Sequence, residues 1–167
     1  MNDQVTEIPL TPADSPRLAI VVSRYNAWIT DKLAGGAKEA LARLAPNATA
    51  VLVPAPGAFE LVPVAAAACD SGRYDGVVCL GCVIRGETRH DEYINMSVAQ
   101  GITELSARTG VPVSFGLLTV NSPDQAEARA GGDLGNKGAE AVEAVLATIA
   151  AIDAVRAGAP NTVGSKA

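Results

Sequence analysis

The chain is poor in the side chains that usually carry acid–base and aromatic chemistry: 167 residues include one histidine and six aromatics, two Phe, one Trp and three Tyr. Charge is scarce as well, with 19% charged residues against the usual quarter in globular proteins. Basic residues are outnumbered, 13 Lys and Arg to 18 Asp and Glu, for a net charge of -5 and a pI near 4.8. Such a balance argues against general nucleic-acid binding, because no basic stripe is available to displace phosphate counterions. Apolar runs such as Val62 to Cys69 fall well short of the ~20 residues that span a bilayer, so no membrane association is expected. The first residues are polar and lack the apolar segment of a secretory signal. The three cysteines are an odd number in apolar surroundings, which predicts reduced thiols and a cytoplasmic location over a disulfide framework.

Small aliphatic residues fill the space. Hydrophobic residues make up 49%, enough for the core of one domain at this length, whereas two domains would be cramped. Residues 1–16, with Pro9, Pro12 and Pro16, read as a flexible arm, residues 17–157 as the domain, and residues 158–167 as a frayed tail. Within the domain, Arg17–Ser23 reads as a strand buried on both faces, and Ile29 to Ala45 as an amphipathic helix. The alternation then repeats. Thr49–Val53 reads as a second buried strand, and after the Pro54–Gly57 turn an alanine-rich helix runs to about Asp70. Asp75–Gly81 is the third strand, a loop covers Cys82 to Arg89, and a helix runs from about His90 to Thr109. Val113–Thr119 is the fourth strand, followed by helices over Pro123–Ala130 and Lys137–Val155 around a glycine-rich Gly131–Gly135 turn.

Alternating buried strands and helices require crossover connections and a covered parallel sheet. The expected fold is therefore α/β, a three-layer α/β/α sandwich with a four-stranded parallel sheet, doubly wound and flavodoxin-like. Ligands of such folds bind beyond the carboxyl ends of the strands. That rule selects four segments: Ser23–Asn26, Ala55–Glu60, Cys82–His90 and Thr119–Ser122.

Chemistry concentrates in these segments. In Gly81–His90 the amides of Gly86, Glu87 and Thr88 precede a helix, where they can face a small anion; a capped helix after a glycine turn explains the pattern equally well. The segment is neither a Walker A loop nor a dinucleotide fingerprint. His90 is the one side chain able to shuttle protons near neutrality, and a solvated surface histidine is the simpler explanation of it in isolation. Glu60 in Pro56–Glu60 is a candidate acceptor for hydroxyls or ring N–H groups, or an ordinary acidic residue at a helix start. Arg129 and Lys137 are cations flanking a glycine turn, suited to phosphate and equally to helix ends. Cys79 and Cys82 have the spacing of a redox or metal pair, but the further ligands a zinc site needs do not accompany them, and burial favours structural thiols.

Taken in order, Ser23–Asn26, Pro56–Glu60, Gly81–His90, Pro112–Thr119, Asp124–Ala126, Arg129–Gly131 and Gly135–Gly138 resemble the lumazine synthase family. Seven collinear motifs outweigh the simpler explanation of each. The resemblance implies a transferase of riboflavin biosynthesis that condenses 5-amino-6-(D-ribitylamino)uracil with 3,4-dihydroxy-2-butanone 4-phosphate, releasing orthophosphate and water without metal or organic cofactor. It implies that Tyr25 stacks on the pyrimidine, that Ala58, Phe59 and Glu60 with Cys82, Val83 and Ile84 hold the ring and ribityl chain, and that Phe115 completes the pocket. Phosphate would lie on Gly86, Glu87 and Thr88 with Arg129, Lys137 would support the site, and His90 would transfer protons. Phe115 and Arg129 would come from the adjacent subunit of a homo-pentamer, which in this family stays alone, pairs into a decamer or closes into an icosahedral capsid of sixty chains. The rival reading is a non-catalytic lumazine- or flavin-binding shell protein of the same fold. Three residues depart from the family pattern: Tyr25 in place of Phe or Trp, Val62 in place of Pro, and Asp91 in place of an aromatic residue.

Overall fold

The computed structural model describes residues 7–158. The expected arm over 1–16 and tail over 158–167 therefore lie partly outside the described residues; residues 7–15 carry no helix or strand. Four strands, β1 (Arg17–Ser23), β2 (Thr49–Ala55), β3 (Gly76–Ile84) and β4 (Val113–Val120), form one parallel sheet in the order β2-β1-β3-β4. Helices α1 (Ala27–Leu44), α2 (Leu61–Asp70), α3 (His90–Thr109), α4 (Pro123–Arg129) and α5 (Lys137–Ala157) connect and follow the strands. This is the expected doubly wound α/β/α sandwich.

Strand alternation divides the core. Leu18, Ile20, Val78, Leu80 and Leu118 face α1 and α5, while Ala19, Val21, Val77, Cys79 and Leu117 face α2 and α3. A fully buried Leu, Ile or Val side chain contributes about 1.5–3 kcal/mol. The alanines have a specific use: Ala34, Ala37 and Ala40 of α1 are buried on the face shared with Ala141 and Val142 of α5, so small side chains let the helices approach. At Gly138 the approach is closest, since an added Cβ would collide with the Leu33 carbonyl. Asn136 fastens this junction. Its Oδ1 accepts from the amides of Gly138 (2.8 Å) and Ala139 (3.2 Å), and its Nδ2 donates to Lys32 O at 3.0 Å, which caps α5 and ties it to α1.

Several local expectations are corrected. β2 is not a buried strand: residues 49–52 and Pro54 are exposed in the single chain and only Ala55 is buried. Its apolar composition tells what a cover would gain, and among the described residues no helix supplies that cover along most of the strand. Cys82, Val83 and Ile84 are not loop residues but the last three of β3, held by the ladder to Leu118, Thr119 and Val120. The turn after β2 extends through Glu60, and α2 begins only at Leu61; Pro63 falls in its first turn, where a missing N–H is tolerated. Finally, Ala130–Gly132 (β5) and Gly135–Asn136 (β6) pair as a small antiparallel ribbon where a glycine turn was expected.

Candidate functional site

Because all four strands run the same way, their carboxyl ends share one rim. The chain passes from β1 to β2 on one side and then from β2 back across β1 to β3 on the other, so the direction of winding reverses between β1 and β3, where such sheets open a crevice. Ladder hydrogen bonds continue one residue into the rim: Arg24 N donates to Ala55 O and Arg85 N to Val120 O, both at 2.8 Å. Two further bonds fix the crevice. Thr30 Oγ1 donates to Ser23 O at 2.7 Å, and Asn26 Nδ2 donates to Cys82 O at 3.0 Å.

Asn26 is a residue whose role the sequence reading did not assign. It is the one described non-glycine residue in the left-handed region (φ 59°), a conformation that asparagine tolerates better than most. The tight turn lets α1 start at once, and it leaves the side chain free to bridge β1 to β3. An asparagine in a very short strand-to-helix connection was the available signal.

The rim gathers most of the expected site residues. Tyr25 follows β1 and is 71% exposed; Phe59 follows β2 and is 57% exposed. Ala58 beside it is buried, and Glu60 lies at the start of α2. Cys82 and Val83 are buried at the end of β3, with Ile84 partly exposed. Gly86, Glu87, Thr88 and His90 are exposed in the turn into α3, where the helix macrodipole favours an anion. Within this turn Thr88 Oγ1 and His90 Nδ1 lie 2.6 Å apart. Gly86 borders the same ring, for a Cβ built there would sit 3.8 Å from His90 Cε1. Open aromatic faces beside a positive helix end can receive a flat polar ring and a phosphate together.

Asp91, the departure next to His90, is buried at 8% exposure. Among the described residues its Oδ1 has no hydrogen-bond partner, and neither do Asn95 Oδ1 one turn later and Ser114 Oγ on β4.

Three expected site residues make no hydrogen bond or salt bridge to this cluster among the described residues. Phe115 pairs with Cys79, five residues before the end of β4, which at about 3.3 Å per residue is some 16 Å from the rim; it is 44% exposed on an edge strand. Arg129 ends α4, with Nη1 donating to Gln125 O at 3.1 Å. Lys137 begins α5 and pairs with Glu140 at 2.6 Å. A cavity of about 520 Å³ lies elsewhere, lined by Tyr74, Thr109, Pro112 and Arg156 toward the amino ends of the strands.

The cysteine pair does not form a redox couple. Cys79 faces the α2/α3 layer and Cys82 the α1/α5 layer, so their thiols point to opposite sides of the sheet. Burial pushes both above the ordinary value of 9.0, Cys79 to about 12 and Cys82 to about 11, which keeps them protonated and unreactive at neutral pH. Among the described residues no group of three or more His, Cys, Asp or Glu could hold a metal ion, and no helix is long and apolar enough to cross a membrane.

Comparison with known proteins bears on the same segments. The family model described as 6,7-dimethyl-8-ribityllumazine synthase matches residues 15–153. A curated relative, 6,7-dimethyl-8-ribityllumazine synthase 1 of Caulobacter vibrioides, is 47% identical over 130 residues, covering 77% of this chain and 85% of the relative. Among solved structures, a de novo designed Rossmann-fold protein is similar at 16% identity and a TM-score of 0.37, over 66% of this chain and 90% of the design; the topology above stands without it.

Proposed function

The chain belongs to the 6,7-dimethyl-8-ribityllumazine synthase family, and on that premise we propose that its carboxyl rim condenses 5-amino-6-(D-ribitylamino)uracil with 3,4-dihydroxy-2-butanone 4-phosphate. The activity is that of a transferase in riboflavin biosynthesis. The observation that carries the assignment of roles is the turn into α3, where the sole histidine is hydrogen-bonded to a threonine beside a glycine at the positive end of a helix.

In this reading Tyr25 and Phe59 offer flat faces to the pyrimidine, whose edge meets the Ala58–Glu60 backbone, Glu60 and the Cys82–Ile84 strand end. Gly86, Glu87 and Thr88 bind the phosphate, with Arg129 contributing a two-pronged donor and Lys137 added positive charge. The amine of one substrate attacks the ketone of the other, and loss of water gives an imine. Orthophosphate leaves by elimination, and the second nitrogen then adds to the remaining carbonyl and closes the ring with loss of a second water. Each step moves a proton, and His90 gives and takes it. None requires a protein nucleophile, so much of the acceleration comes from holding two reactants together, with His90 adding ~10²-fold or more.

The site is completed by a second copy in this proposal, with Phe115 and Arg129 supplied across a subunit boundary in a homo-pentamer. Two features support it. Phe115 lies too far below its own rim to reach it, and the exposed apolar strand β2, with Val51 and Leu52 each more than 40% open, offers a surface that a neighbour would cover. Pairing into decamers or closure into a sixty-chain shell remains a further step of the same proposal, as does a cytoplasmic location. Mixing the purified protein with both substrates tests the function. A new lumazine absorbance band with stoichiometric phosphate release is expected; binding of the pyrimidine without product would favour the non-catalytic shell protein.

A further inference from the structure

Thr88 Oγ1 and His90 Nδ1 lie at 2.6 Å, a distance at which one of the two must donate. A hydroxyl has one hydrogen, and a neutral imidazole has one N–H. Two arrangements satisfy the pair. Either the Thr88 hydroxyl donates to Nδ1 and the ring proton sits on Nε2, or Nδ1–H donates to Thr88 Oγ1 and Nε2 keeps a free lone pair. In the second arrangement alone is the Thr88 hydrogen available to a third group. Phosphate oxygens demand such a hydrogen, and Gly86, assigned to the phosphate above, borders the same ring 3.8 Å from Cε1 when given a Cβ.

Resting on the proposed phosphate site, we propose that Thr88 is a positioning residue that couples phosphate occupancy to the tautomer of His90. Bound phosphate takes the Thr88 O–H, Oγ1 then accepts from Nδ1–H, and the lone pair of Nε2 is presented as the base. The balance closes through solvent: Nε2 releases a proton to water, Nδ1 takes one from water, and the ring stays neutral. The same hydroxyl that marks the phosphate substrate as present thus sets the imidazole to receive a proton.

The sole histidine makes this directly readable, because a ring-labelled sample yields one set of imidazole signals. NMR of the full assembled protein with 15N,13C-ring-labelled histidine is recorded in mildly alkaline buffer, with and without saturating inorganic phosphate. In the wild type, phosphate is expected to shift Nδ1 to the protonated position and Nε2 to the unprotonated one. Thr88→Ser should respond likewise, and Thr88→Val should keep a tautomer mixture that phosphate does not change. A wild-type tautomer unmoved by phosphate, or a Thr88→Val ring that responds as the wild type does, overturns the coupling. Lumazine formation by the same wild-type sample separates the two levels: an active protein whose tautomer does not move refutes the coupling alone, whereas an inactive one refutes the proposed function.

Discussion

β3 and β2 have the same apolar, β-branched character and opposite fates. Val77 to Leu80 of β3 are completely buried, flanked by β1 and β4 and covered by helices on both faces, whereas β2 is an edge strand open along most of its length. Residue pattern therefore reports what a strand needs and is silent about what supplies it. For β3 the same chain supplies the cover. For β2 the proposed neighbour does, and the same boundary would bring Phe115 and Arg129 to the rim.

The sharpest contrast is between Leu80 and Leu52. Leu80→Ala opens a cavity in a completely buried position and should cost about 2–5 kcal/mol in denaturant unfolding. Leu52→Asp, at a position 44% exposed in the single chain, should leave far-UV circular dichroism unchanged while shifting sedimentation toward smaller species. If Leu52→Asp instead unfolds the chain as Leu80→Ala does, β2 belongs to the subunit's own core and the contrast fails. Next in size is His90→Ala, for which a fall in kcat of ~10²-fold or more is expected, with pyrimidine binding retained by titration; an unchanged rate would remove His90 from the mechanism.

The smallest effect lies at the opposite rim. Asp75 accepts from Arg17 Nε at 3.1 Å, from Nη2 at 2.9 Å and from the Arg17 amide at 2.8 Å, and the side-chain hydrogen bonds with Arg17 hold its carboxyl below the ordinary 3.8. A carboxyl lowered in the folded state stabilises above its unfolded pKa, and that contribution disappears as pH falls through the folded value. Asp75→Asn should thus lower the melting temperature slightly at pH 7, little because the pair is solvent-exposed, and the difference should close in strong acid. A gap that persists there would mean that packing, not charge, is responsible.

Much of the architecture was legible in the residues. The limits of β1 and α3 coincide with those expected, because a short β-branched run has one reading and because Gly110 in the left-handed conformation and Pro112 end α3 at Thr109. The β5–β6 ribbon was not legible, since strands of three and two residues carry no periodicity. Nor were the fastening bonds of Asn26 and Asn136, which depend on partners 56 and 104 positions away. The candidate site residues were chosen by their order along the chain, and their proposed roles came with the resemblance those motifs carry; the separation of Phe115 from the rim emerged only from strand register.

The most direct test of a site shared between subunits mixes two singly substituted chains. Phe115→Ala and His90→Ala proteins, each assayed alone and then co-refolded in equal amounts, are compared for lumazine formation. If Phe115 acts across the boundary, random assembly in a ring leaves roughly a quarter of the sites with both native residues, and activity should rise to about that fraction of wild type. Activity no greater than the mean of the two parents would contradict the shared site.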